Sequence, residues 1–331
     1  MTAPLTVVVG IYSSFPSWNI PASSVERLRG DFPRHTFLHA TSDERTLELI
    51  PPAHVAFMSE MRARHFAAAP SLQWVHSPAA GVGGMLFPAM IESQVVMSNS
   101  RGISAETIAE HVIAVTLARF RKLPLAFHTQ SVRHWTQEAF VEPPSLRTIA
   151  GSTALIIGLG AIGTATARRL AALGARVTAI RRNPERAAPE GVQTVAPPER
   201  LLELLSSADI VVISAPQTRE TRSLIGAAEL AAMRRDALLV NVSRGKLVDE
   251  AALVSALTDT PTLGAALDVF EHEPLPADSP LWSLPNVLVT PHIAGFRPDH
   301  WDAVTALFAD NLRRFESGQP LLNVVNKEAG Y

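Results

Sequence analysis

The sequence predicts an α/β protein built of two doubly wound parallel-sheet domains. Short apolar runs alternate with helical patterns along most of the chain, as expected of parallel strands covered by helices on both faces. A glycine-rich turn, Gly158-Leu159-Gly160-Ala161-Ile162-Gly163, joins one apolar run directly to a helical stretch. The chain has 331 residues, more than one ordinary core accommodates, so two domains are expected.

The first series opens with a strand at Val7–Ile11 and a helix at Ser24–Arg29. Strand-like runs follow at His54–Phe57, Leu72–His76 and Val95–Met97. A long helix begins at Ser104; Ile108, Val112, Val115 and Arg119 fall at helical spacing, and Pro124 marks its expected end. "EPPS", Glu142–Ser145, is a turn-rich break. The second series runs strand Ala154–Ile157, helix Ile162–Leu173, strand Arg176–Ile180, helix Pro198–Leu205 and strand Ile210–Ile213. It continues with strand Leu238–Val240, a helix near Asp249–Leu257, strands Leu263–Leu267 and Val287–Val289, and a closing helix from about Pro298 to Glu316. No repeat of fixed period and no low-complexity tract interrupts the pattern.

Composition narrows the function. The chain is 47% hydrophobic and 18% charged, a composition that folds to a compact globule. A net charge of −2 supplies no basic field for nucleic acid or anionic lipid. With no cysteine, disulfides, thiol nucleophiles and cysteine–metal sites are excluded, and a reducing, cytoplasmic setting is expected. "MTAPLTVVVGIYSS" lacks a positive leader region and reads as a first strand. The apolar runs fall short of the ~20 residues that span a bilayer.

The glycine turn carries the first chemistry. Between a strand and a helix, Gly158 permits a tight turn, Gly160 lets the backbone approach a pyrophosphate and Gly163 lets helix and strand pack closely. Ala161 and Ile162 then stand at a helix N-terminus facing the phosphates. An acid at the end of the next strand would bind a ribose 2′-hydroxyl. The sequence instead has Arg181-Arg182-Asn183, and a guanidinium grips a 2′-phosphate that a carboxylate would repel. The expected cofactor is therefore NADP(H), with NAD(H) as the second choice. A second cation raises a question of its own: Arg244, in "NVSRGKLVDE", sits at the tip of an apolar strand with no obvious partner.

Further stretches give Arg244 a context. "ALDVFEHEPLP" holds Asp268, Glu271, His272 and Glu273; "VTPHIAG" puts His292 just after a strand; "SAPQTRETRSLIG" holds Pro216, Thr218 and Thr221. With "GLGAIG", "NVSRG" and "EHVIAVTLARFRKLP", these motifs resemble the D-2-hydroxyacid dehydrogenase family, in order, from about Asn99 to Ala294. The resemblance is weaker over the first hundred residues.

The resemblance implies that Arg244 holds the carboxylate and carbonyl oxygen of a 2-oxo acid, whose paired oxygens suit a planar fork. It implies that His292 is the general acid that protonates the carbonyl as hydride arrives, and the base in reverse. Glu273, which precedes Pro274, would fix the imidazole and favour its charged form. Glu271 and His272 are read as loop residues. Pro216, Thr221, Val242, Ser243, Asp268 and His292 would line the cofactor. No metal is called for, because arginine and imidazolium stabilise the developing alkoxide.

In the first domain, "SPAAGVGGML" resembles the loop whose amides hold the substrate carboxylate, which assigns Ala80 and Gly81 that role. This chain departs from the family in having Gly83-Gly84 where Asp usually follows Gly-Val. "FMSEM", Phe57–Met61, ends another strand that faces the substrate on this reading, while Asn99, Glu110 and His111 are read as structural. The implied architecture is a flavodoxin-like substrate domain, residues 1–101 plus 295–331, and an NAD(P)-binding Rossmann domain, residues 102–294, around a cleft.

The resulting expectation is an NADPH-preferring 2-oxo acid reductase acting on glyoxylate, hydroxypyruvate or a similar acid, and working as a homodimer whose Leu125–Trp135 segment is an exchanged arm. A dinucleotide-sensing, corepressor-like protein without turnover is the alternative. Against it stand the cofactor loop, which lacks the acid of an NAD sensor, and the expectation that no long tail follows the last helix. A formate dehydrogenase relative is disfavoured by Glu273, whereas a phosphite dehydrogenase relative keeps the same Arg–Glu–His set.

Overall fold

The computed structural model describes residues 3–143 and 145–330. The chain separates into two compact units, Met1–Ile103 with Arg297–Tyr331, and Ser104–Phe296.

The first unit runs β1 (Thr6–Gly10), α1 (Ala22–Asp31), β2 (Thr36–His39), α2 (Asp43–Leu49), β3 (Val55–Met58), α3 (Ala63–Ala67), β4 (Trp74–Ser77), α4 (Pro88–Glu92) and β5 (Val96–Asn99). Its sheet has the order β2-β1-β3-β4-β5, with every pair parallel. The inner strands β1, β3 and β4 are short and covered on both faces, so alternate residues feed two separate cores. Val7 and Val9 pack with Val25, Leu28 and Phe57 on one face; Val8 packs with Met58, Met90 and Met97 on the other. The C-terminal helix (His300–Glu316) belongs to this unit because Phe308 stacks on Phe57 at 4.3 Å and on Trp74 at 5.2 Å.

The second unit opens with α5 (Ala105–Phe120), α6 (Leu123–Ser131) and α7 (Glu138–Val141). It continues with β6 (Thr153–Ile157), α8 (Ala161–Ala172), β7 (Arg176–Ile180), β8 (Thr194–Ala196), α9 (Leu201–Leu205), β9 (Ile210–Ile213), α10 (Ala227–Ala232), β10 (Leu238–Asn241), α11 (Glu250–Asp259), β11 (Gly264–Leu267) and β12 (Val287–Val289). The seven strands lie in the order β12-β11-β10-β9-β6-β7-β8, all parallel. The order reverses between β6 and β9, and such sheets bind ligands outside their carboxyl ends at that switch point. Small residues let α5 lie close on α8, with Ala105 and Ala109 against Ala165.

Strands β6, β7, β9 and β12 fall where the apolar runs put them. Others had no such run. β2 is a half-exposed edge strand and α2 a short helix, capped by the Ser42 hydroxyl on the Arg45 amide at 3.1 Å. β8 and α10 are equally short. α5 ends before Pro124, as expected, and a second helix starts at once. The chain leaves α5 at Arg121, turns at Lys122 with φ 52° and restarts in α6 with Pro124 in its first turn, a position that proline suits. The Glu142–Ser145 break includes Pro144, which lies outside the described residues. Among the described residues no helix is long and apolar enough to cross a membrane.

Candidate active site

The carboxyl end of β6 passes straight into the glycine loop. Gly158 has φ +99°, and a Cβ there would lie 2.5 Å from the Ala215 nitrogen, so no side chain is admitted. Ser214 fixes this loop by donating its hydroxyl to the Gly158 carbonyl at 2.7 Å. Gly160 caps α8 with no side chain, the first turn carries no acid, and a Cβ at Gly160 would meet nothing within 4 Å. Uncapped amides at the head of a twelve-residue helix, facing open space across Gly160, fit a dinucleotide pyrophosphate.

β7 ends at Ile180, and Arg181 and Arg182 follow. Their side chains differ. Arg181 turns back on its own loop, with Nε donating to the Asn183 carbonyl at 2.9 Å and Nη2 to the Ala187 carbonyl at 3.2 Å. Arg182 is exposed, with Glu220 at 3.9 Å. Arg181 is thus engaged as a tie of its own loop. Asn183 is exposed, and its carbonyl is the one that Arg181 holds.

The answer to the question about Arg244 lies in the loop beyond β10. Asn241 pins the turn from both sides: its Nδ2 donates to the Arg244 carbonyl at 3.0 Å, and its Oδ1 accepts the Ser243 amide at 3.1 Å. Gly245 makes the next step possible. A Cβ at that position would sit 1.8 Å from the Phe270 carbonyl carbon, so only glycine lets this turn lie against the loop after β11. That loop carries Glu273, whose Oε1 accepts the Phe270 amide at 2.9 Å and whose Oε2 lies 2.7 Å from His292 Nδ1. Three strand ends thus come together, and the Arg244 guanidinium donates to the Ser243 carbonyl at 2.7 Å while feeling the Glu273 charge.

The electrostatics follow from the geometry. Burial alone would raise the Glu273 carboxyl; hydrogen bonds from His292 and the Phe270 amide, with the His292 and Arg244 charges, outweigh it and hold the group below the ordinary glutamate range. Burial pushes the Arg244 guanidinium down from its usual value, and the Glu273 charge partly restores it. His292 has one ring nitrogen on Glu273, and among the described residues its Nε2 has no partner, so it is open to a reactant. Its backbone is strained at φ +53°. Asp268 holds that conformation: Oδ1 accepts the Ile293 amide and Oδ2 the Ala294 amide, both at 2.9 Å, and Thr290 donates its hydroxyl to Oδ1 at 2.6 Å.

In the other unit, the loop beyond β4 leaves Ala79, Ala80 and Gly81 exposed. The carbonyls of Ala79 and Ala80 are taken by the Ser100 amide at 3.2 Å and by Asn99 Nδ2 at 2.6 Å. Among the described residues the Ala80 and Gly81 amides meet no acceptor.

Residues 113–294 match the family model described as D-isomer specific 2-hydroxyacid dehydrogenase, NAD binding domain. The chain belongs to the D-isomer specific 2-hydroxyacid dehydrogenase family. It is an NAD(P)-dependent oxidoreductase of 2-hydroxy acids. It is 36% identical to the glyoxylate reductase of Korarchaeum cryptofilum over 80% of each chain. It is 34% identical to the D-3-phosphoglycerate dehydrogenase of Archaeoglobus fulgidus, over 82% of this chain but 50% of that one. Among solved structures, a D-isomer specific 2-hydroxyacid dehydrogenase of Xanthobacter autotrophicus, in complex with NADPH and MES, superposes with a TM-score of 0.83 at 32% identity, covering 99% of this chain and 100% of that one. The NADPH-dependent glyoxylate/hydroxypyruvate reductase of Sinorhizobium meliloti, in complex with NADP and sulfate, gives 0.83 at 30% identity over 99% and 100%.

Within this dehydrogenase fold several expected cofactor contacts have other work. The Thr221 hydroxyl closes its own turn, accepting from the Thr218 amide at 2.7 Å and donating to the Pro216 carbonyl at 2.7 Å. Pro216 itself is exposed. Ser243 donates its hydroxyl to the Ala215 carbonyl, and Val242 is buried, so both support the Arg244 turn from inside. Asp268, expected beside the cofactor, is 2% exposed and turns its oxygens inward onto the His292 loop. The sequence reading missed the residues that pin the site, Ser214, Asn241 and Thr290. Only Asn241 left a trace, as the polar residue ending an apolar strand.

Proposed function

We propose that this dehydrogenase reduces a small 2-oxo acid, such as glyoxylate or hydroxypyruvate, with NADPH as its preferred donor. The observation that carries the reaction is the Glu273–His292 pair at 2.7 Å with Nε2 left open. Bound NADPH supplies the hydride to the carbonyl carbon. His292, in its protonated form, donates its Nε2 proton to the carbonyl oxygen as that oxygen gains charge. Glu273 keeps the ring oriented through its 2.7 Å contact with Nδ1. Arg244 offers its planar fork to the substrate's neighbouring oxygens and stabilises the alkoxide. The Ala80 and Gly81 amides bind the substrate carboxylate.

The preference for NADPH rests on the missing acid after β7 and on Arg182, exposed where a 2′-phosphate would need a cation. Homodimer formation is supported by the α6–α7 region, where Phe127 (65% exposed), Trp135 (87%) and Val141 (68%) present apolar surface to solvent. The deciding experiment measures initial rates of NADPH and NADH oxidation in parallel against glyoxylate, hydroxypyruvate, pyruvate and phenylpyruvate. Fast NADPH oxidation with the small acids is expected. A preference for NADH, or for phenylpyruvate alone, would overturn the cofactor or the substrate assignment respectively.

A further inference from the structure

The first unit contains a buried polar chain for which the reaction above has no use. Trp74 Nε1 lies 2.8 Å from Ser98 Oγ, Ser98 Oγ lies 2.7 Å from His76 Nδ1, His76 Nε2 lies 3.2 Å from Ser100 Oγ, and Ser100 Oγ lies 3.0 Å from the Ser77 carbonyl. Trp74, His76 and Ser98 are fully buried and Ser100 nearly so. Such networks are costly unless every member is satisfied.

The direction of this chain can be derived. Indole nitrogen only donates, so Ser98 must accept from Trp74. The Ser98 proton then needs an acceptor, and the one in reach is His76 Nδ1. His76 is therefore neutral with its proton on Nε2, which it donates to Ser100. Ser100 in turn donates to the Ser77 carbonyl. Burial agrees with this assignment, since it pushes the His76 ring down to about 3. Each donor proton has one acceptor, and the chain runs one way, from the core to the carboxyl end of β4.

Its last acceptor is the carbonyl of buried Ser77, the final residue of β4, two residues before the exposed stretch begins. The Ser77 carbonyl is held by Ser100, the Ala79 carbonyl by the Ser100 amide, and the Ala80 carbonyl by Asn99. With the carbonyls of Ser77, Ala79 and Ala80 turned toward the end of β5, the Ala80 and Gly81 amides are left unpaired. The geometry points to the Trp74–Ser98–His76–Ser100 chain as a positioning device that aims these two amides at the substrate carboxylate, with His76 as its central positioning residue. This inference rests on the proposed role of Ala80 and Gly81.

The test compares wild-type enzyme with Ser100→Ala, His76→Leu, His76→Gln and Gly81→Pro at saturating NADPH, after thermal melts show each variant folded. The readouts are kcat and KM for glyoxylate, the Ki of the carboxylate analogue oxamate, and the Kd of NADPH. Ser100→Ala should raise KM and Ki together about tenfold, the usual effect of losing one buried hydrogen bond, with kcat and NADPH affinity nearly unchanged. His76→Leu should act in the same direction and more strongly. His76→Gln keeps a donor toward Ser100 and should recover part of that loss. The positioning role is overturned if Ser100→Ala and His76→Leu leave KM and Ki unchanged, or if they lower kcat and melting temperature instead. Gly81→Pro removes one of the aimed amides. If it too leaves KM unchanged, the carboxylate assignment of the loop fails; if it raises KM while Ser100→Ala does not, the loop assignment stands and only the positioning chain fails.

Discussion

The two halves of the site on the seven-stranded sheet are built in opposite ways. At the end of β6 the six residues from Gly158 to Gly163 are consecutive, and the three glycines among them leave the backbone bare. Beyond β10, β11 and β12 the partners Arg244, Glu273 and His292 come from three separate strand ends, and they work through their side chains alone. A backbone cradle can be encoded locally, because steric freedom and uncapped amides depend on neighbours in sequence. A side-chain constellation depends on the register of three parallel strands and on residues such as Gly245 and Asn241 that let the loops touch.

That contrast can be broken at chosen points. The largest effect is expected from His292→Ala, which removes the proton donor. The rate constant kcat should fall by about 10²–10⁴-fold while NADPH binding, followed by fluorescence titration, is unchanged. Loss of NADPH binding in this variant would mean that the two halves are not separable. Gly160→Val attacks the other half. The structure has room for the side chain, so the melting temperature should hold while NADPH affinity drops, by about 100-fold if the pyrophosphate contacts are lost. A variant that melted early instead would show that Gly160 serves the fold.

Smaller effects sharpen the comparison. Glu273→Gln should lower kcat by about 10-fold to 100-fold, within the range of a lost orienting and charge-stabilising partner. Its sign with pH can be worked out. The folded-state carboxyl lies below the ordinary glutamate range, so the stability it contributes is present above that range and is lost as pH falls through the lowered value. Melting curves between pH 3 and 7 should therefore show a steeper acid loss for wild type than for Glu273→Gln; parallel curves would contradict the pairing. Least costly to the fold is Arg182→Ala, which should cut the NADPH-over-NADH preference about tenfold, as expected for one exposed phosphate contact. Arg181→Ala should change that ratio less and loosen the loop at residues 183–187; a larger change at Arg181 than at Arg182 would reverse the assignment.

Legibility followed the same division. The glycine loop, the arginine pair after β7 and the strands β7, β9 and β12 could be read directly, because each is a local pattern with a local cause. β2 and α2 could not, since one is a half-exposed edge strand and the other a short capped helix. The bracing work of Asp268 was not legible for a different reason: nothing local to an acid ending a strand shows that its oxygens hold the Ile293 and Ala294 amides. The own-loop bonds of Thr221 and Arg181 were hidden in the same way, since no local pattern announces them.

By itself the sequence determined the fold class and the family resemblance and put forward candidates for the reactive side chains, because strand and helix periodicity, glycine spacing and residue chemistry are properties of neighbours. Only the tertiary structure decided which polar groups are taken up by neighbouring loops and which keep an open hydrogen-bonding atom among the described residues. A hydrogen-bonding side chain is satisfied by whatever the fold brings within about 3 Å, and strand register, not sequence distance, sets that partner.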